Sequence, residues 1–591
     1  MRHRILWVMG LFAVCSAMSL AQPREKLLIA TGWDNPTPQQ LRRDLAVMDE
    51  RPFDGVVVAI AAFGVDEGVG SQPLQSCFED RAWKREWFAR SVDDLKAVKA
   101  AGPRRLTHNF VCVNANPGNV DWFDDAGWAN IVEHMRTAAW IAHEGGMDGI
   151  LFDPEPYAPP FQQFGYATQP ERAEHSFREY YAKARERGGE VMRAMAEEYP
   201  ALTIFTYFMN SYVIASDPWG GPAVTGIADP MQALAASPYG LYSAFIDGWL
   251  NAAPPEVTFV DGNERAYRYT EPSEFWTAVA EIKGDGQDAV SPENRAKYRA
   301  QVLAGHGIYL DAHRDSPSPW KLDPKGVSYA ELLRRNVTAA LRSADRYVWI
   351  YGEQGRWWPN PDASGPADKP YPQWPDVIPG CVEALEAARD PAGAARRAAL
   401  RELDAVRAAG DVPDVAVNGD FSQAPAGDGG AAVGAADWTA TGMPPGWSFW
   451  QEDASKGIFG FDAQTGCDAP GSGRAANVRN GCFINTCAVT PGERYIITLR
   501  VRSVGEGLPV LHIRYQDADG RWADEGSGQV AQKKVYLTGP QADDEWGTLV
   551  ARVEVPDGVG RLVVLACVSG QVTQGDTVWF DDLHVWKVGA R

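Results

Sequence analysis

Two carboxylates, two prolines and a tyrosine follow one short apolar run in the sequence GILFDPEPY, residues 149–157. Asp153 and Glu155 stand two positions apart where an extended run ends, so both side chains can turn toward one pocket. Paired carboxyl groups supply a proton donor together with a base or nucleophile, which is the chemistry that cleaves a glycosidic bond. We interpret Asp153 and Glu155 as candidate catalytic residues and Tyr157 as a candidate substrate-binding residue. The alternative is an acidic turn without chemistry.

A second acidic motif, FVDGNERAYRY, occupies residues 259–269. Gly262 allows a tight turn that brings Asp261 and Glu264 toward the same pocket, so both are candidate catalytic residues. The alternative is an Asp-Gly turn followed by a surface glutamate.

Two assignments of the acids remain open from the sequence. In one, a proton donor after the fourth predicted strand works with a nucleophile after the seventh, which pairs Glu155 with Asp311. In the other, the fourth-strand carboxylate is the nucleophile, which pairs Asp153 with Asp261 or Glu264.

Amides, imidazoles, carboxylates and aromatic rings recur within or after most of the other predicted strands. Aromatic faces stack on the C–H faces of sugars, and polar side chains reach hydroxyl groups. The candidate substrate-binding residues are Trp33, His108, Asn109, Asn114, Tyr157, Tyr207, Asp311, His313, Trp349, Glu353 and Trp357.

Eight apolar, β-branched runs alternate with amphipathic stretches between residues 22 and 380, and this alternation would position these side chains. Continuous apolar strands that alternate with helices predict a parallel sheet covered by helices, here a (β/α)8 TIM barrel. The strand candidates are 26–33, 54–60, 104–114, 148–153, 202–210, 256–262, 307–313 and 346–353. Since no GxGxxG turn follows the first strand, a dinucleotide fold is disfavoured.

The remainder of the chain has a different texture. Residues 381–413 are rich in Ala, Arg and Glu and predict a helical linker. Residues 414–591 contain short strands separated by glycine-rich turns, which predicts an all-β sandwich of the jelly-roll kind. Cys467, Cys482 and Cys487 are close enough in sequence for one local disulfide, and buried free thiols are the alternative.

Bulk properties restrict the location and the partners of the chain. The 591 residues carry a formal net charge of −21, which argues against nucleic acid as the main partner. Residues 1–21 have the charged start, apolar middle and small-residue end of a cleaved signal peptide, so we expect a secreted or periplasmic protein. No later segment is long and apolar enough to predict a membrane span.

The sequence DGILFDPEPY resembles the fourth-strand signature of family 18 glycoside hydrolases, which reads DG-x-D-x-D-x-E. Asp148, Asp153 and Glu155 match that signature, and Leu151 stands where the family has its middle aspartate. The resemblance implies that Glu155 is the general acid. More widely, the barrel region resembles TIM-barrel glycoside hydrolases.

The C-terminal region resembles family 4/9-like carbohydrate-binding modules through VNGDFSQ, PPGWSFWQED and VWFDDLHVWKV. The resemblance implies a module that binds carbohydrate and carries a structural Ca²⁺ ion, with Asp420 and Asp582 at the matching positions. Carboxylate oxygens suit calcium. No cofactor is expected for catalysis.

The sequence therefore predicts a secreted glycoside hydrolase that acts on a poly- or oligosaccharide. Two alternatives stay open. The first is a non-catalytic carbohydrate-binding surface protein. The second is a polysaccharide lyase, in which His313 or Tyr207 would abstract a proton beside a uronic acid and Arg265, Arg268 or Arg314 would bind the uronate.

Overall fold

The fold is known from a computed structural model, and the chain divides into two compact units between Asp390 and Pro391. No helix within the described parts is both long and apolar enough to cross a bilayer. The predicted signal peptide, 1–21, lies outside the described residues. The structure describes residues 25–118, 120–157, 162–214, 229–358, 371–426, 442–455, 457–523, 535–538 and 545–590.

A parallel sheet forms the centre of the first unit, and its strands are nearly all buried. The runs of Val, Ile, Leu and Phe that predicted these strands have no exposed face because helices cover the sheet. Within the described residues the strands are β1 (Leu27–Gly32), β2 (Gly55–Val58), β3 (Phe110–Asn114), β4 (Gly149–Asp153), β5 (Thr203–Thr206), β6 (Thr258–Asp261), β7 (Val302–Ala304), β8 (His306–Tyr309) and β9 (Tyr347–Gly352).

The sheet closes on itself between β7 and β8. The strand order is β7-β6-β5-β4-β3-β2-β1-β9-β8, so β7 and β8 are the two ends of the sheet. Only Gly305 separates them in sequence, and its amide donates to the carbonyl of Asp261 on β6. β7 pairs with β6 and β8 pairs with β9, so together they form the seventh strand of an eightfold barrel. The predicted TIM barrel is confirmed.

Helices surround the barrel, and capping residues mark where individual helices begin and end. α4 begins with a capping box between Ser176 and Glu179, and α3 ends at Gly146, whose φ of 69° suits a residue without a side chain. The helices of this unit are α1 (Pro38–Met48), α2 (Ala89–Ala100), α3 (Asp125–Gly145), α4 (Phe177–Glu198), α5 (Ser211–Ile214), α6 (Pro230–Ala236), α7 (Gly240–Ala252), α8 (Pro272–Lys283), α9 (Arg295–Gln301), α10 (Tyr329–Ser343), α11 (Trp374–Val377) and α12 (Cys381–Arg389).

In the described part of the second unit, two antiparallel sheets of five strands each enclose one apolar core, which confirms the predicted β-sandwich. The strand orders are β10-β13-β18-β15-β16 and β11-β12-β19-β14-β17. The strands are β10 (Trp447–Gln451), β11 (Ile458–Asp462), β12 (Ser472–Ala476), β13 (Asn480–Ala488), β14 (Glu493–Val504), β15 (Leu508–Gln516), β16 (Val535–Thr538), β17 (Gly547–Glu554), β18 (Arg561–Ser569) and β19 (Thr577–Ala590).

The boundary between the units lies inside the segment predicted as a helical linker. α12 packs against α10, and its buried Cys381 and Leu385 belong to the barrel core. The next helix, α13 (Pro391–Ala409), packs against the sandwich, where Leu403 joins a small apolar cluster with Ile496 and Val550. Each helix of the predicted linker thus belongs to a different unit.

Shortening Leu403 should destabilise the second unit. The side chain is almost fully buried in the cluster between α13 and the sheet, so Leu403→Ala removes apolar contacts and leaves a cavity. We expect a loss of about 2–5 kcal/mol in the free energy of unfolding, measured by denaturant titration. Asp404→Ala, at the next and exposed position, is the matched control and should change the stability little. Equal effects of the two variants would show that α13 does not pack as described.

Candidate active site

The end of β4 carries a carboxylate that is fixed from three sides. Asp153 is 3% exposed, and its Oδ2 accepts hydrogen bonds from Asn114 Nδ2 at 2.7 Å and from the Tyr157 hydroxyl at 3.1 Å. Its Oδ1 accepts from the backbone amide of Glu155 at 2.9 Å. Asn114 ends the neighbouring strand β3, so the parallel register of β3 and β4 places the amide beside the carboxylate. Asp153 is therefore held rigidly below the surface of the mouth.

Tyr157 connects the two carboxylates of the fourth strand. Its hydroxyl lies 2.5 Å from Glu155 Oε2 as well as 3.1 Å from Asp153, while 59% of the residue remains exposed. Its backbone amide donates to Asn116 Oδ1 at 3.0 Å, which fixes the loop after β4. The three predicted side chains of this motif thus form one hydrogen-bonded group.

Both carboxyl groups in this arrangement favour the protonated form more than a free acid does. Burial, followed by the nearby charge of Glu155, raises the pKa of Asp153 well above its usual value. Burial also raises the pKa of Glu155, against which the Tyr157 hydrogen bond acts by stabilising the carboxylate. Two carboxyl groups this close retain a proton to a higher pH than either would alone.

The sixth-strand acids have different surroundings. Asp261 is completely buried, and it accepts hydrogen bonds from the Ser211 amide at 2.9 Å, the Ser211 hydroxyl at 2.6 Å and the Asn263 amide at 3.2 Å. These bonds tie the loop after β5 to the end of β6. Glu264 begins a 3-10 turn (Glu264–Arg268), is half-buried, and accepts from the Tyr212 hydroxyl at 3.3 Å. Glu264 therefore lies nearer to solvent than Asp261.

Tyr351 on β9 marks where the acids of different strands converge. Burial raises its pKa above the usual value, and the negative charges of Glu353, Asp153, Glu155 and Glu264 raise it further. Those carboxylates follow the fourth, sixth and eighth strands of the barrel, so the charges of acids from three strand ends all act on the Tyr351 hydroxyl. Burial, together with the charges of Glu155 and Glu264, also raises the pKa of two further tyrosines, Tyr239 and Tyr267.

These three tyrosines were not predicted as site residues. Tyr351 lies two positions after Trp349, so the same strand pattern that selected the tryptophan contained the tyrosine too. Tyr267 lies within the FVDGNERAYRY motif, and Tyr239 directly precedes α7. Sequence offered no signal that Tyr239 reaches the mouth, because it lies far from any predicted strand end.

The seventh- and eighth-strand acids interact with each other. Asp311 lies almost buried in a 3-10 turn after β8, where Oδ2 accepts from the Glu353 amide at 2.8 Å and Oδ1 lies 3.1 Å from Arg314 Nε. Burial raises the pKa of Asp311. Burial, together with the charges of Asp311 and Glu155, also raises the pKa of half-buried Glu353. Asp311 thus fixes the loop that carries Glu353.

Another buried carboxylate, Asp34, lies after β1. Its Oδ2 accepts from the Trp357 amide at 2.8 Å, and burial raises its pKa to about 6. The adjacent Trp33 is 54% exposed, and its amide donates to the Gly352 carbonyl at the end of β9. Trp33 is therefore an open aromatic surface on the side of the barrel where the strands end.

His108 and Asn109 lie at the opposite end of the barrel, which corrects the expectation that they bind substrate at the mouth. β3 begins at Phe110, later than predicted, so both residues precede the strand. Asn109 accepts from the Val56 amide at 2.9 Å, and His108 Nδ1 lies 2.7 Å from Asp148 at the start of β4. Both side chains hold strand beginnings together.

Four further candidates are buried in packing roles. His313 has Nδ1 at 2.9 Å from the Tyr309 carbonyl and Nε2 at 3.1 Å from Asn336, and burial lowers its pKa to about 4. Trp349 is fully buried and stacks on Tyr207 with ring centroids 4.4 Å apart. Fully buried Trp357 packs edge-on against Phe53. A sugar cannot stack on Trp349 or Trp357 in this structure, which corrects their assignment as sugar-binding surfaces.

In the second unit, Asp420 and Asp582 both lie near Asp581. Burial raises the pKa of Asp581 to about 6, and the charges of Asp582 and Asp420 contribute. Asp420 accepts from the Ser422 hydroxyl at 2.9 Å, and Asp582 lies 2.8 Å from His584 Nε2. Among the described residues no three His, Cys, Asp or Glu side chains form a group that could hold a metal ion. The calcium site stays a prediction.

Comparison with known proteins adds only weak likenesses. No profile of a protein family matches the sequence, and no curated protein matches it. A xylan-binding module from Paenibacillus barcinonensis is 14% identical over 26% of this chain and 91% of its own, with a TM-score of 0.20. An arabinose-bound α-L-arabinofuranosidase is 14% identical over 30% of this chain and 28% of its own, with a TM-score of 0.21.

A tailspike domain of bacteriophage CBA120 is 14% identical over 24% of this chain and 19% of its own, with a TM-score of 0.19. The tailspike domain and the arabinofuranosidase are thus matched over less than a third of their lengths. Likenesses this distant do not indicate what this chain binds or does.

Proposed function

We propose that the barrel is a glycoside hydrolase in which Glu155 is the proton donor and Glu264 is the opposing carboxylate. The observation that carries the proposal is the hydrogen-bonded group of Asp153, Glu155 and Tyr157 at a barrel mouth where Glu264 and Glu353 also approach Tyr351. Acetal cleavage needs one carboxyl group that keeps a proton and another that acts as base or nucleophile.

The difference in exposure divides the roles within the fourth strand. Glu155 is half-buried and its pKa is raised, so it can hold a proton and still contact a ligand. Asp153 is almost completely enclosed by Asn114, Tyr157 and the Glu155 amide. Asp153 is therefore a positioning residue that fixes Tyr157 and the backbone of Glu155.

Glu264 is the better partner than Asp261 because it is less buried. Asp261 ends β6 and Glu264 follows it by three residues. The Asp261 oxygens, however, accept hydrogen bonds from Ser211 and Asn263 inside the protein. Glu264 instead lies near Tyr239 and Tyr267, whose pKa values the charge of Glu155 also raises. A ligand beside Glu155 and Glu264 would meet carboxylates from two strands.

The contacts of the proposed lyase residues argue against the lyase alternative. Both nitrogens of His313 have partners, and the Tyr207 hydroxyl lies 3.0 Å from Thr31 Oγ1 in the interior. Two arginines proposed to bind a uronate have carboxylate partners: Arg314 with Asp311 at 3.1 Å and Arg265 with Glu281 at 2.8 Å. Neither candidate base is placed to abstract a proton from a substrate.

The test of the proposal is release of new reducing ends from a panel of neutral polysaccharides and aryl glycosides by the full chain. If the barrel hydrolyses glycosidic bonds, the wild type should release reducing ends. A double variant with Glu155→Gln and Glu264→Gln should release none. A wild type that retains glycans but releases no reducing ends on any substrate would favour the binding-protein alternative. Products with an unsaturated, ultraviolet-absorbing end would favour the lyase.

Removing the Tyr157 hydroxyl should move the pH dependence of kcat/KM. The general acid must be protonated, so activity is present below the pKa of Glu155 and is lost as the pH rises through it. The hydroxyl lowers the pKa of Glu155 by stabilising the carboxylate. Tyr157→Phe should therefore shift the alkaline limb to higher pH.

Tyr180→Phe is the matched control for that experiment. The Tyr180 hydroxyl donates to the carboxylate of Asp121 at 2.8 Å, which is the same kind of bond outside the acidic group. Its removal should leave the pH profile unchanged. A shift of the alkaline limb to lower pH in Tyr157→Phe would contradict the assignment of Glu155.

We further propose that the outer face of the β10-β13-β18-β15 sheet binds glycan. Alternate residues of these strands point away from the core, and Trp450 on β10 is 52% exposed on that side. At the other side of the face, Trp522 is 41% exposed and lies under the Arg514 guanidinium at 3.9 Å. Exposed aromatic rings on a flat sheet offer stacking surfaces for sugar rings.

Trp450→Ala should weaken glycan retention at least about tenfold in affinity electrophoresis of the full chain, since loss of one stacking aromatic typically costs over 1 kcal/mol. Trp276→Ala is the control, because Trp276 is a tryptophan of equal exposure on α8 of the barrel unit. If both variants migrate like the wild type, the sheet face does not bind the glycan tested.

Export of the chain stays part of this proposal. It rests on the signal-like residues 1–21 and on the expectation that a polysaccharide hydrolase meets its substrate outside the cell. Sequencing the N-terminus of the mature protein would test it, with a start at Gln22 as the expected result.

A further inference from the structure

Two cysteines from distant parts of the sequence lie directly opposite each other in the sandwich. Cys482 on β13 is the register partner of Cys567 on β18 in an antiparallel pair. Both side chains point to the outer face, where they join a small cluster with Val563, Leu565 and Ile484. Both residues are free thiols in this structure.

The spacing of an antiparallel pair suits a disulfide. Residues directly opposite have Cα atoms about 4.5–5.5 Å apart. A disulfide spans Cα separations of about 4.4–6.8 Å, so the bond needs no movement of either strand. The regular register on both sides of Cys482 and Cys567 holds this separation in place.

The other cysteines of the second unit are directed elsewhere. Cys487 lies five positions after Cys482 on the same strand, so its side chain points to the opposite face and belongs to the interior core. Cys467 has its Sγ 3.0 Å from Arg500 Nε on the other sheet. The local bridge considered from sequence, among Cys467, Cys482 and Cys487, is therefore not the pairing that the fold favours.

The two thiols also differ in acidity, in a way that suits thiol–disulfide exchange. A hydrogen bond from Cys567 lowers the pKa of Cys482, and the same contact, with burial, raises the pKa of Cys567. The thiolate is the nucleophile in exchange. Cys567 is partly exposed, so a small oxidant can approach the pair from solvent.

We propose that Cys482 and Cys567 form a cross-strand disulfide on the outer face of the β10-β13-β18-β15 sheet when a disulfide oxidant is present. One thiolate attacks the oxidant, breaks its S–S bond and releases one thiol. The second cysteine then attacks the mixed disulfide and releases the second thiol. Two protein thiols are oxidised, the oxidant's two sulfurs are reduced, and the two protons end on the released thiols.

The disulfide would join β13 to β18 beside Trp450, which is the register partner of Cys482 on the other side of β13. It would close a long loop, from residue 482 to residue 567, and so restrict the unfolded chain. This inference concerns the stability of the sandwich and does not depend on the proposed hydrolase activity.

The test incubates the full chain with oxidised glutathione in excess over reduced glutathione, blocks the remaining thiols, and digests without reduction. Mass spectrometry should find the Cys482 peptide joined to the Cys567 peptide, and the link should disappear after reduction. Recovery of both cysteines as blocked thiols, or of each as a glutathione adduct without the linked peptide, would overturn the proposal.

Three variants complete the design. Cys467→Ser should leave the linked peptide intact, whereas Cys482→Ser and Cys567→Ser should abolish it. Oxidation should raise the Tm of the wild type by roughly 5 °C or more and leave that of Cys567→Ser unchanged. A link from Cys482 to Cys467 or Cys487 instead would show that the register pairing does not direct oxidation.

Discussion

Glu155→Gln should lower turnover by about 10²-fold or more on substrates with poor leaving groups, which is the usual scale of general acid catalysis. Glutamine keeps the shape of glutamate and can still meet the Tyr157 hydroxyl, but it has no proton to give. Substrates with an activated leaving group need little protonation and should be affected much less. Steady-state kinetics on an alkyl and a nitrophenyl glycoside of the same sugar would measure the difference.

Two controls separate chemistry from folding in that experiment. Glu179→Gln alters a glutamate of the α4 capping box, away from the acidic group, and should leave both substrates unaffected in rate. Asp153→Asn should slow both substrates, because it disturbs the positions of Tyr157 and the Glu155 backbone together. Equal, mild losses for Glu155→Gln and Asp153→Asn on every substrate would mean that FDPEPY is only an acidic turn.

Glu264→Gln should lower turnover by about 10³-fold on good and poor leaving groups alike. As the opposing carboxylate, Glu264 either attacks the sugar or activates water, and both roles require its negative charge whatever the leaving group. Burst kinetics and the stereochemistry of the product would then separate the nucleophile from the base.

Glu353→Gln is the matched comparison, since Glu353 is a half-buried glutamate whose charge also reaches Tyr351. We expect it to weaken binding more than turnover. A severe loss of turnover in Glu353→Gln with little change in Glu264→Gln would move the role of opposing carboxylate to the eighth strand.

Much of the fold could be predicted from the apolar runs, because a strand covered on both faces has almost no polar residues. β1, β4 and β9 were placed within one residue at each end. The third strand was predicted too early because the predicted run included RRLTHN, which has a single apolar residue and precedes the apolar run that begins at Phe110. That shift put His108 and Asn109 on the wrong end of the barrel.

The candidate site was predictable only in part. The periodicity of a strand indicates which side of the strand a residue faces, but not how deep in the barrel its side chain lies. Trp349 and Tyr351 share one side of β9, yet Trp349 lies one layer deeper, with Tyr207 stacked on it. It is therefore the pKa of Tyr351 that the charges of Glu353, Asp153, Glu155 and Glu264 raise. Likewise, the sequence showed that Asp261 and Glu264 follow one strand but not that Ser211 would enclose Asp261.

The buried acids of the mouth also affect how firmly the barrel is folded. A carboxyl group whose folded-state pKa is raised stabilises the native state fully below its unfolded-state pKa, and this contribution is lost as pH rises through the folded-state pKa. Asp34, Asp153 and Glu155 all have raised values, with Asp34 at about 6. At neutral pH the barrel therefore carries a trade-off: these three carboxyl groups stabilise it less than they do in mild acid, whereas buried His313, whose pKa is lowered, acts in the opposite direction.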